Sequence, residues 1–130
     1  MLDAGLGFAV KVDKQTSRFG DFLGRKAVLN RKQHGLTKRM LQFKLTDPES
    51  LLYHHEPIYR DGEVAGYVTS GNYGHYLGGA MAMGYIDCTR DEKASEVCSS
   101  QYEIDVAGER VPAEASFKPM YDPKAERVKA

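Results

Sequence analysis

The feature that most constrains the fold is the stretch Glu56–Ile86, in which short apolar runs are separated by turn residues. Two runs rich in β-branched and aromatic residues, Pro57–Arg60 and Val64–Thr69, flank Asp61-Gly62. Asp-Gly favours a two-residue hairpin turn because both of its residues can take positive φ. The stretch therefore predicts a β-hairpin and, with it, an antiparallel sheet.

A glycine-rich run follows this hairpin. Four glycines lie between Gly71 and Gly79, and this density predicts a folded surface loop because glycine takes backbone conformations that other residues avoid. The next run, Met81–Ile86, predicts a strand. The polar residues Thr89–Ser100 predict an irregular surface segment.

Strict alternation of apolar and polar residues predicts three more strands. It occurs after Thr37, where Leu41, Phe43 and Leu45 alternate with polar residues, and in the runs 101–106 and 109–117 around Ala107-Gly108. Several short strands with turns between them indicate a mainly β domain, either an antiparallel barrel or a sandwich.

The first 35 residues follow a different pattern. Gly5–Val12 predicts a strand and Asp13–Ser17 a polar loop, and Arg25–Gln33 predicts a short helix that ends at His34-Gly35. Gly35 suits the positive φ common just past a helix end. The expected buried side of this helix is formed by Leu23, Ala27 and Val28. The abrupt apolar start suggests a cut through a longer protein.

Charge and composition limit the function classes. Eighteen basic residues balance eighteen acidic ones, so the chain carries no net charge that would attract a nucleic acid or an anionic membrane. The basic residues between Arg25 and Lys44 are expected to form a solvated face. No apolar run reaches the length of a membrane span. The two cysteines, Cys88 and Cys98, are expected to be reduced thiols, and the compartment to be the cytoplasm, or the mitochondrial matrix in a eukaryote.

Local motifs indicate no self-contained catalytic or metal site. His54-His55 would point to opposite faces of a strand and cannot easily share one ion. Cys88 has no neighbour in sequence that would activate it, so it is expected to be a small buried or half-buried thiol. Eight tyrosines could stack on a planar ligand, but most are expected to be strand residues with buried rings.

The order of several segments resembles the C-terminal part of the glycine-cleavage T-protein (aminomethyltransferase) superfamily. The similarity runs over nearly the whole chain. It is carried by Ala4–Lys11, Asp21–Ala27, Gly62–Gly71, Leu77-Gly78 and Met83–Ile86. Within that superfamily, Leu52–Gly62 and Tyr121–Pro123 are most similar to the tail of the FAD-dependent dimethylglycine and sarcosine dehydrogenases.

This resemblance implies a division into two parts and a role within a larger enzyme. Residues 1–35 would be the end of a folate-binding body with its connecting helix, and residues 36–130 the C-terminal antiparallel, Greek-key-like β-barrel. In such enzymes an FAD domain oxidises a small methylated amine and tetrahydrofolate captures the one-carbon unit. The family's catalytic aspartate would lie upstream, so the resemblance assigns no catalytic residue here and implies that this fragment alone is inactive.

Two residues can be matched to folate contacts of the family. Phe8 stands where the family often has a tryptophan beside the folate, and it keeps the stacking surface but lacks the indole N–H donor. Tyr121 lies near the C-terminal aromatic residue at the ligand, although Met120 and Asp122 differ from the T-protein ending. Both are predicted as folate-binding residues.

Three functions remain open at this stage. In the first, the parent is an FAD-linked amine oxidoreductase. In the second, it is an aminomethyltransferase or a related folate-dependent demethylase. The alternative outside enzymology is a stand-alone barrel that binds a protein or RNA partner through its basic face. In the two enzyme readings the partner of this chain is the rest of its own parent, with neither nucleic acid nor membrane involved.

Overall fold

The computed structural model of the chain describes residues 1–10, 12, 22–90 and 92–129, so the loop predicted over 13–17 lies outside the described residues. Within these ranges a 3₁₀ turn covers Gly7–Ala9. The helices are α1 (Arg25–His34), α2 (Ala94–Ser99) and α3 (Glu126–Lys129). The strands are β1 (Lys38–Leu45), β2 (Pro57–Arg60), β3 (Glu63–Gly74), β4 (Gly79–Asp87), β5 (Tyr102–Val106) and β6 (Glu109–Ser116).

The strands close into one antiparallel barrel in the order β1-β4-β3-β2-β5-β6. Strands β2, β3 and β4 pair in sequence and β1 lies beside β4, which is a Greek-key arrangement. Because β6 also pairs with β1, the ring has no free edge. The predicted mainly β, Greek-key-like barrel is therefore confirmed, and the barrel is chosen over the sandwich.

The core lies inside the barrel and follows the alternation seen in the sequence. In β1 the side chains of Leu41, Phe43 and Leu45 point inward and are buried. The Phe43 ring meets the Tyr102 ring edge-on, with ring centroids 5.3 Å apart. Each such side chain contributes roughly 1.5–3 kcal/mol by its burial. The same cluster includes Leu52, Ile58, Val68, Ala80, Ala82, Ile86, Val97, Ile104 and Val111.

Both predicted hairpin turns are present. Asp61 and Gly62 have φ of 52° and 91°, and Ala107 and Gly108 have φ of 54° and 92°. Positive φ at both central residues is typical of a two-residue β-hairpin turn. The hairpin predicted around Asp61-Gly62 is confirmed, and it places β2 and β3 side by side.

The glycine-rich loop predicted over 71–79 is present but its bounds are wrong, because β3 continues to Gly74 and only residues 75–78 form the turn before β4. A Cβ at Gly71 would lie 2.8 Å from Leu52 Cβ, and a Cβ at Gly74 would lie 2.7 Å from Met81 Cγ. These glycines therefore allow close packing against the strand. The pattern could not distinguish that role from a loop.

The irregular segment predicted over 89–100 contains helix α2, so that prediction is also wrong. The Glu96 carboxylate accepts a hydrogen bond from the Lys93 backbone N–H at 3.0 Å, which supports the start of the helix. Val97 is fully buried against the barrel. A helix with one buried residue leaves no periodic pattern to recognise.

The strand predicted over residues 5–12 does not form in its described part, which contains the 3₁₀ turn instead. Local hydrogen bonds satisfy this backbone, including Ala9 N–H to the Leu6 carbonyl at 3.1 Å. The residues just before it reach the barrel, since the Met40 N–H donates to the Asp3 carbonyl at 2.8 Å. A closed ring offers no edge that an additional strand could join.

Helix α1 forms as predicted, but its predicted buried side is wrong. It contains no buried residue, Leu23 is fully exposed, Ala27 is exposed and Val28 is half-buried. Gly35 follows the helix with φ of 79°, as predicted. No helix in the described ranges is long and apolar enough to cross a bilayer.

Candidate functional site

Tyr121, one of the two predicted folate residues, belongs to a group that we call the C-terminal aromatic cluster: Tyr76, Tyr121 and Arg127. The two rings meet edge-on with centroids 4.7 Å apart. The Arg127 guanidinium carbon lies 4.5 Å from the Tyr76 ring centroid and 5.7 Å from that of Tyr121. Both tyrosines are exposed, so the cluster presents an aromatic surface to solvent.

Two separate parts of the chain build this cluster. Tyr76 lies in the short loop between β3 and β4, and Tyr121 lies in the segment after β6. The Met120 N–H donates to the Gln42 side-chain oxygen at 3.1 Å, which ties this segment to β1. Arg127 is in α3 and donates to the hydroxyls of both tyrosines. The cluster therefore joins the end of the chain to the barrel.

Phe8, the other predicted folate residue, lies elsewhere. It is in the 3₁₀ turn Gly7–Ala9 and is 85% exposed. Among the described residues it is not one of the rings in contact with another ring. The structure thus shows no contact that would bring Phe8 into the C-terminal aromatic cluster.

Phe8 is one of several exposed apolar residues before β1. Leu6, Phe22 and Leu23 are also exposed. A small cavity of about 150 Å³ lies between the start of the chain and α1, and its walls are mostly apolar. Exposed large apolar side chains are frequent where a surface contacts another protein or domain.

Besides the C-terminal aromatic cluster, a polar cluster lies at one end of the barrel, around Arg60 of β2 and Glu92. Arg60 donates to both carboxylate oxygens of Glu92 and, at 2.8 Å, to the Ser100 hydroxyl. The two side chains of the pair are 16% and 14% exposed. The hydrogen bond from Arg60 lowers the pKa of Glu92 below its ordinary value. This pair fastens the segment between β4 and β5 to the barrel.

Cys88 lies beside this cluster. Burial raises the pKa of its thiol, so the thiolate is less populated near neutral pH than in a free cysteine. Its sulfur lies 3.7 Å from the Leu36 carbonyl oxygen. Cys88 and Cys98 are both free thiols, as predicted. The environment of Cys88 does not favour a nucleophile.

The histidine pair lies in a loop, which corrects the prediction that it is on a strand. His55 has φ of 71°, and the rings of His54 and His55 are in contact, with centroids 4.8 Å apart. The Glu56 carboxylate accepts from the Tyr53 N–H at 2.8 Å. Across the described residues, no group of His, Cys, Asp or Glu side chains is arranged to hold a metal ion.

The tyrosines differ from the prediction that most have buried rings. Tyr102 does, and its hydroxyl donates to the Val97 carbonyl at 2.8 Å. Four others are exposed, namely Tyr53, Tyr67, Tyr76 and Tyr121. Tyr76 and Arg127 were not predicted as site residues, because 51 positions separate them and no local motif marks either one.

The comparisons decide what kind of barrel this is. Residues 38–122 match the model of the glycine cleavage T-protein C-terminal barrel domain. The chain belongs to this family. The matched residues begin with β1, contain all six strands of the barrel and end just after Tyr121.

Known relatives are larger proteins whose names give different functions. A 4-methylaminobutanoate oxidase (formaldehyde-forming) from Paenarthrobacter nicotinovorans is 35% identical, and the match covers 97% of this chain but 14% of the oxidase. A mitochondrial pyruvate dehydrogenase phosphatase regulatory subunit from Mus musculus is also 35% identical, with 92% and 14% covered. Family membership therefore establishes the barrel domain, whereas these relatives do not establish an activity.

A solved structure gives the same fold. The glycine cleavage system aminomethyltransferase T from Bartonella henselae superposes with a TM-score of 0.69 at 26% identity. The match covers 88% of this chain and 30% of the aminomethyltransferase. This chain thus spans less than a third of each of these relatives, and it corresponds to a small part of larger proteins, two of which are named as enzymes.

Proposed function

We propose that this chain is the C-terminal barrel of a folate-dependent enzyme, with an FAD-linked oxidoreductase of the dimethylglycine and sarcosine type as the parent. The observation that carries the proposal is the match to the 4-methylaminobutanoate oxidase, which covers 97% of this chain and 14% of the oxidase. That relative is named for the oxidation of an N-methylated amino acid. Dimethylglycine and sarcosine belong to the same substrate class.

The division of labour in such a parent follows from the chemistry. FAD, held by a part of the parent upstream of this chain, would take two electrons from the N-methyl group and leave a one-carbon unit at the oxidation level of formaldehyde. Tetrahydrofolate would take up that unit as 5,10-methylenetetrahydrofolate. This chain would contribute aromatic contacts, and we propose Phe8, which precedes the barrel, and Tyr121, which follows β6, for this role. The catalytic groups would be supplied upstream.

Exposed apolar residues before the barrel support the proposal that this part of the chain contacts an upstream body. Leu6, Phe8 and Leu23 expose apolar surface, and α1 buries no residue. The matched barrel begins at residue 38, directly after this region. We therefore propose that residues 1–35 pack against the folate-binding body of the parent, while residues 36–130 form the barrel domain.

An aminomethyltransferase parent, which would also use tetrahydrofolate, is the second candidate. It is favoured by the solved aminomethyltransferase from Bartonella henselae, whose fold matches over 88% of this chain. Such a parent would pass on a one-carbon unit without FAD.

The parent protein provides the deciding experiment. The purified parent is expected to show the visible absorbance of bound flavin and to oxidise dimethylglycine or sarcosine. Tetrahydrofolate should lower the free formaldehyde released per amine oxidised. Absence of flavin together with folate-dependent aminomethyl transfer would assign the second candidate, and absence of both activities would contradict the proposal.

The isolated chain offers a second test. We expect it to be inactive and to bind tetrahydrofolate weakly or not at all, because most of the proposed pocket lies upstream. Calorimetric titration of the isolated chain measures this directly, and micromolar affinity would contradict it. For the parent we propose the cytoplasm, or the mitochondrial matrix in a eukaryote. One relative is named as mitochondrial, which agrees with the latter.

A further inference from the structure

Arg127 makes an unusual set of contacts for a residue in a four-residue helix near the end of the chain. Its Nη1 donates to the Tyr121 hydroxyl at 3.3 Å, and its Nη2 donates to the Tyr76 hydroxyl. The same guanidinium lies near both ring faces. Only arginine offers several donors in one plane together with a flat cation that packs on a ring.

The local backbone holds Arg127 in this position. Asp122 adopts φ of 44°, and its carboxylate accepts from the N–H groups of Glu126 at 2.8 Å and Arg127 at 3.1 Å. The Ala125 N–H also donates to the Asp122 carbonyl at 2.8 Å. These bonds close a compact turn directly after Tyr121. The turn folds Arg127 back over the ring of Tyr121.

Tyr121 has few other restraints. Its side chain is 43% exposed, and the residue follows β6 at a point where the chain has left the barrel ladder. The Met120 N–H donates to Gln42 and so ties the backbone before Tyr121 to the barrel. An exposed ring with so few contacts would exchange among rotamers on the nanosecond timescale. The two hydrogen bonds and the ring contacts of Arg127 remove that freedom.

We propose that Arg127 is a positioning residue, which fixes the Tyr121 ring against Tyr76 and so presents one aromatic surface to folate. The folate part of this inference rests on the proposed function, whereas the ordering of the ring does not. The cluster also couples the end of the chain to the loop between β3 and β4. A preorganised ring binds a planar ligand more tightly because less conformational freedom is lost on binding.

The ordering is tested on the complete 130-residue chain by NMR with labelled arginine and tyrosine. Arg127 side-chain protons should be shifted upfield by the two rings. In Arg127→Gln the ring signals of Tyr121 and Tyr76 should move towards random-coil values. Arg127→Lys should not restore them, because an ammonium group cannot bridge both hydroxyls in one plane. Unchanged ring signals in Arg127→Gln would overturn the inference.

Lys129→Gln is the matched control. It removes a cation from the same helix, and the Lys129 ammonium group donates to the Lys124 carbonyl at 3.3 Å. The ring signals should stay as in the wild type. All three variants should keep the wild-type melting temperature, since the cluster lies outside the buried core. A shift of the ring signals as large in Lys129→Gln as in Arg127→Gln would also overturn the inference.

The folate part is tested in the parent enzyme with Arg127→Gln and Tyr121→Leu. Each variant should raise the KM for tetrahydrofolate about threefold to tenfold and leave kcat unchanged, which corresponds to the loss of about 0.65–1.4 kcal/mol expected for one aromatic contact. If Tyr121→Leu leaves KM unchanged, the proposed folate contact fails while the ring ordering stands. If only Tyr121→Leu raises KM, the positioning role of Arg127 fails.

Discussion

The barrel buries its apolar side chains, whereas the part of the chain before it leaves several of its own exposed. Within the described residues, the buried hydrophobic side chains all belong to the barrel and its connections, apart from Val12. The front, which we define as residues 1–37, instead exposes Phe8 and Leu23 and contains a helix without a buried side. A closed sheet therefore satisfies its backbone hydrogen bonds and buries its apolar side chains by itself, whereas a short polar helix needs a partner surface to bury any.

The physical reason is visible in the two kinds of element. Each barrel strand has a neighbour on both sides and an apolar face turned inward, so both its hydrogen bonds and its side chains are satisfied. Helix α1 has basic residues around most of its circumference, among them Arg31, whose carboxylate partner Asp3 lies 2.9 Å away. Surface ion pairs of this kind stabilise a structure by at most about 1 kcal/mol.

The largest effect is expected for Phe43→Ala. Phe43 is completely buried and packs against Tyr102, so its removal leaves a cavity in the centre of the barrel. The free energy of unfolding should fall by about 3–5 kcal/mol. Urea denaturation measures it, and a loss below about 1 kcal/mol would show that the barrel interior is not the main source of stability.

Gly66→Ala is expected to come next. A Cβ at Gly66 would lie 1.8 Å from the Tyr85 carbonyl oxygen, so the backbone of β3 and β4 would have to separate. We expect a loss of about 3 kcal/mol by the same measurement. Gly7→Ala is the matched control in the front, where the nearest atom, Leu2 Cδ2, would be 3.4 Å away. The account is contradicted if both substitutions cost the same.

Glu92→Gln tests the ion pair that ties the barrel to the segment between β4 and β5. Loss of the charge should lower the free energy of unfolding by about 2 kcal/mol at neutral pH, because Arg60 keeps a half-satisfied, mostly buried charge. Arg110 and Glu103, 3.9 Å apart on the exposed outer surface, are the matched pair, and Glu103→Gln should cost under about 0.5 kcal/mol.

The same pair gives the chain a defined pH dependence. The pKa of Glu92 in the folded chain is below its ordinary value of 4.5. Its stabilising effect is therefore complete above that ordinary value and is lost as the pH falls through the lowered pKa. Melting temperatures below pH 4.5 should fall more steeply for the wild type than for Glu92→Gln. Parallel curves would contradict the assignment.

The smallest effect is expected for Leu23→Ala. Leu23 is fully exposed, so the isolated chain should keep its free energy of unfolding within about 0.5 kcal/mol. Leu41→Ala removes the same atoms from the core and should cost about 2–5 kcal/mol. In the parent, Leu23→Ala should become destabilising if the front packs against an upstream body. Equal effects of the two substitutions in the isolated chain would remove the distinction between the two regions.

The sequence predicted those features that repeat at short range. Alternation at Leu41, Phe43 and Leu45 gave β1, and Asp61-Gly62 gave the hairpin. It could not predict that Gly71 and Gly74 continue a strand, because that depends on Leu52 and Met81 packing against them. A residue pattern records a residue's own preferences but not the neighbours that folding brings to it.

The same limit applies to the candidate site. The family resemblance identifies Tyr121, whereas nothing in the sequence predicts the contact between Arg127 and Tyr76. Arg60 and Glu92 are 32 positions apart and were likewise not predicted as partners. Contacts of this kind depend on the closed ring, which brings together loops that are distant in the chain.

Native-state hydrogen exchange on the complete chain tests the central distinction most directly. Amides of Gln42, Phe43 and Lys44 in β1 should exchange only through global unfolding, because these residues are paired with both β4 and β6. Amides of α1 should exchange orders of magnitude faster, through local opening of a helix without buried residues. Equal protection of α1 and β1 would contradict the account, since the front would then be an integral part of the barrel domain.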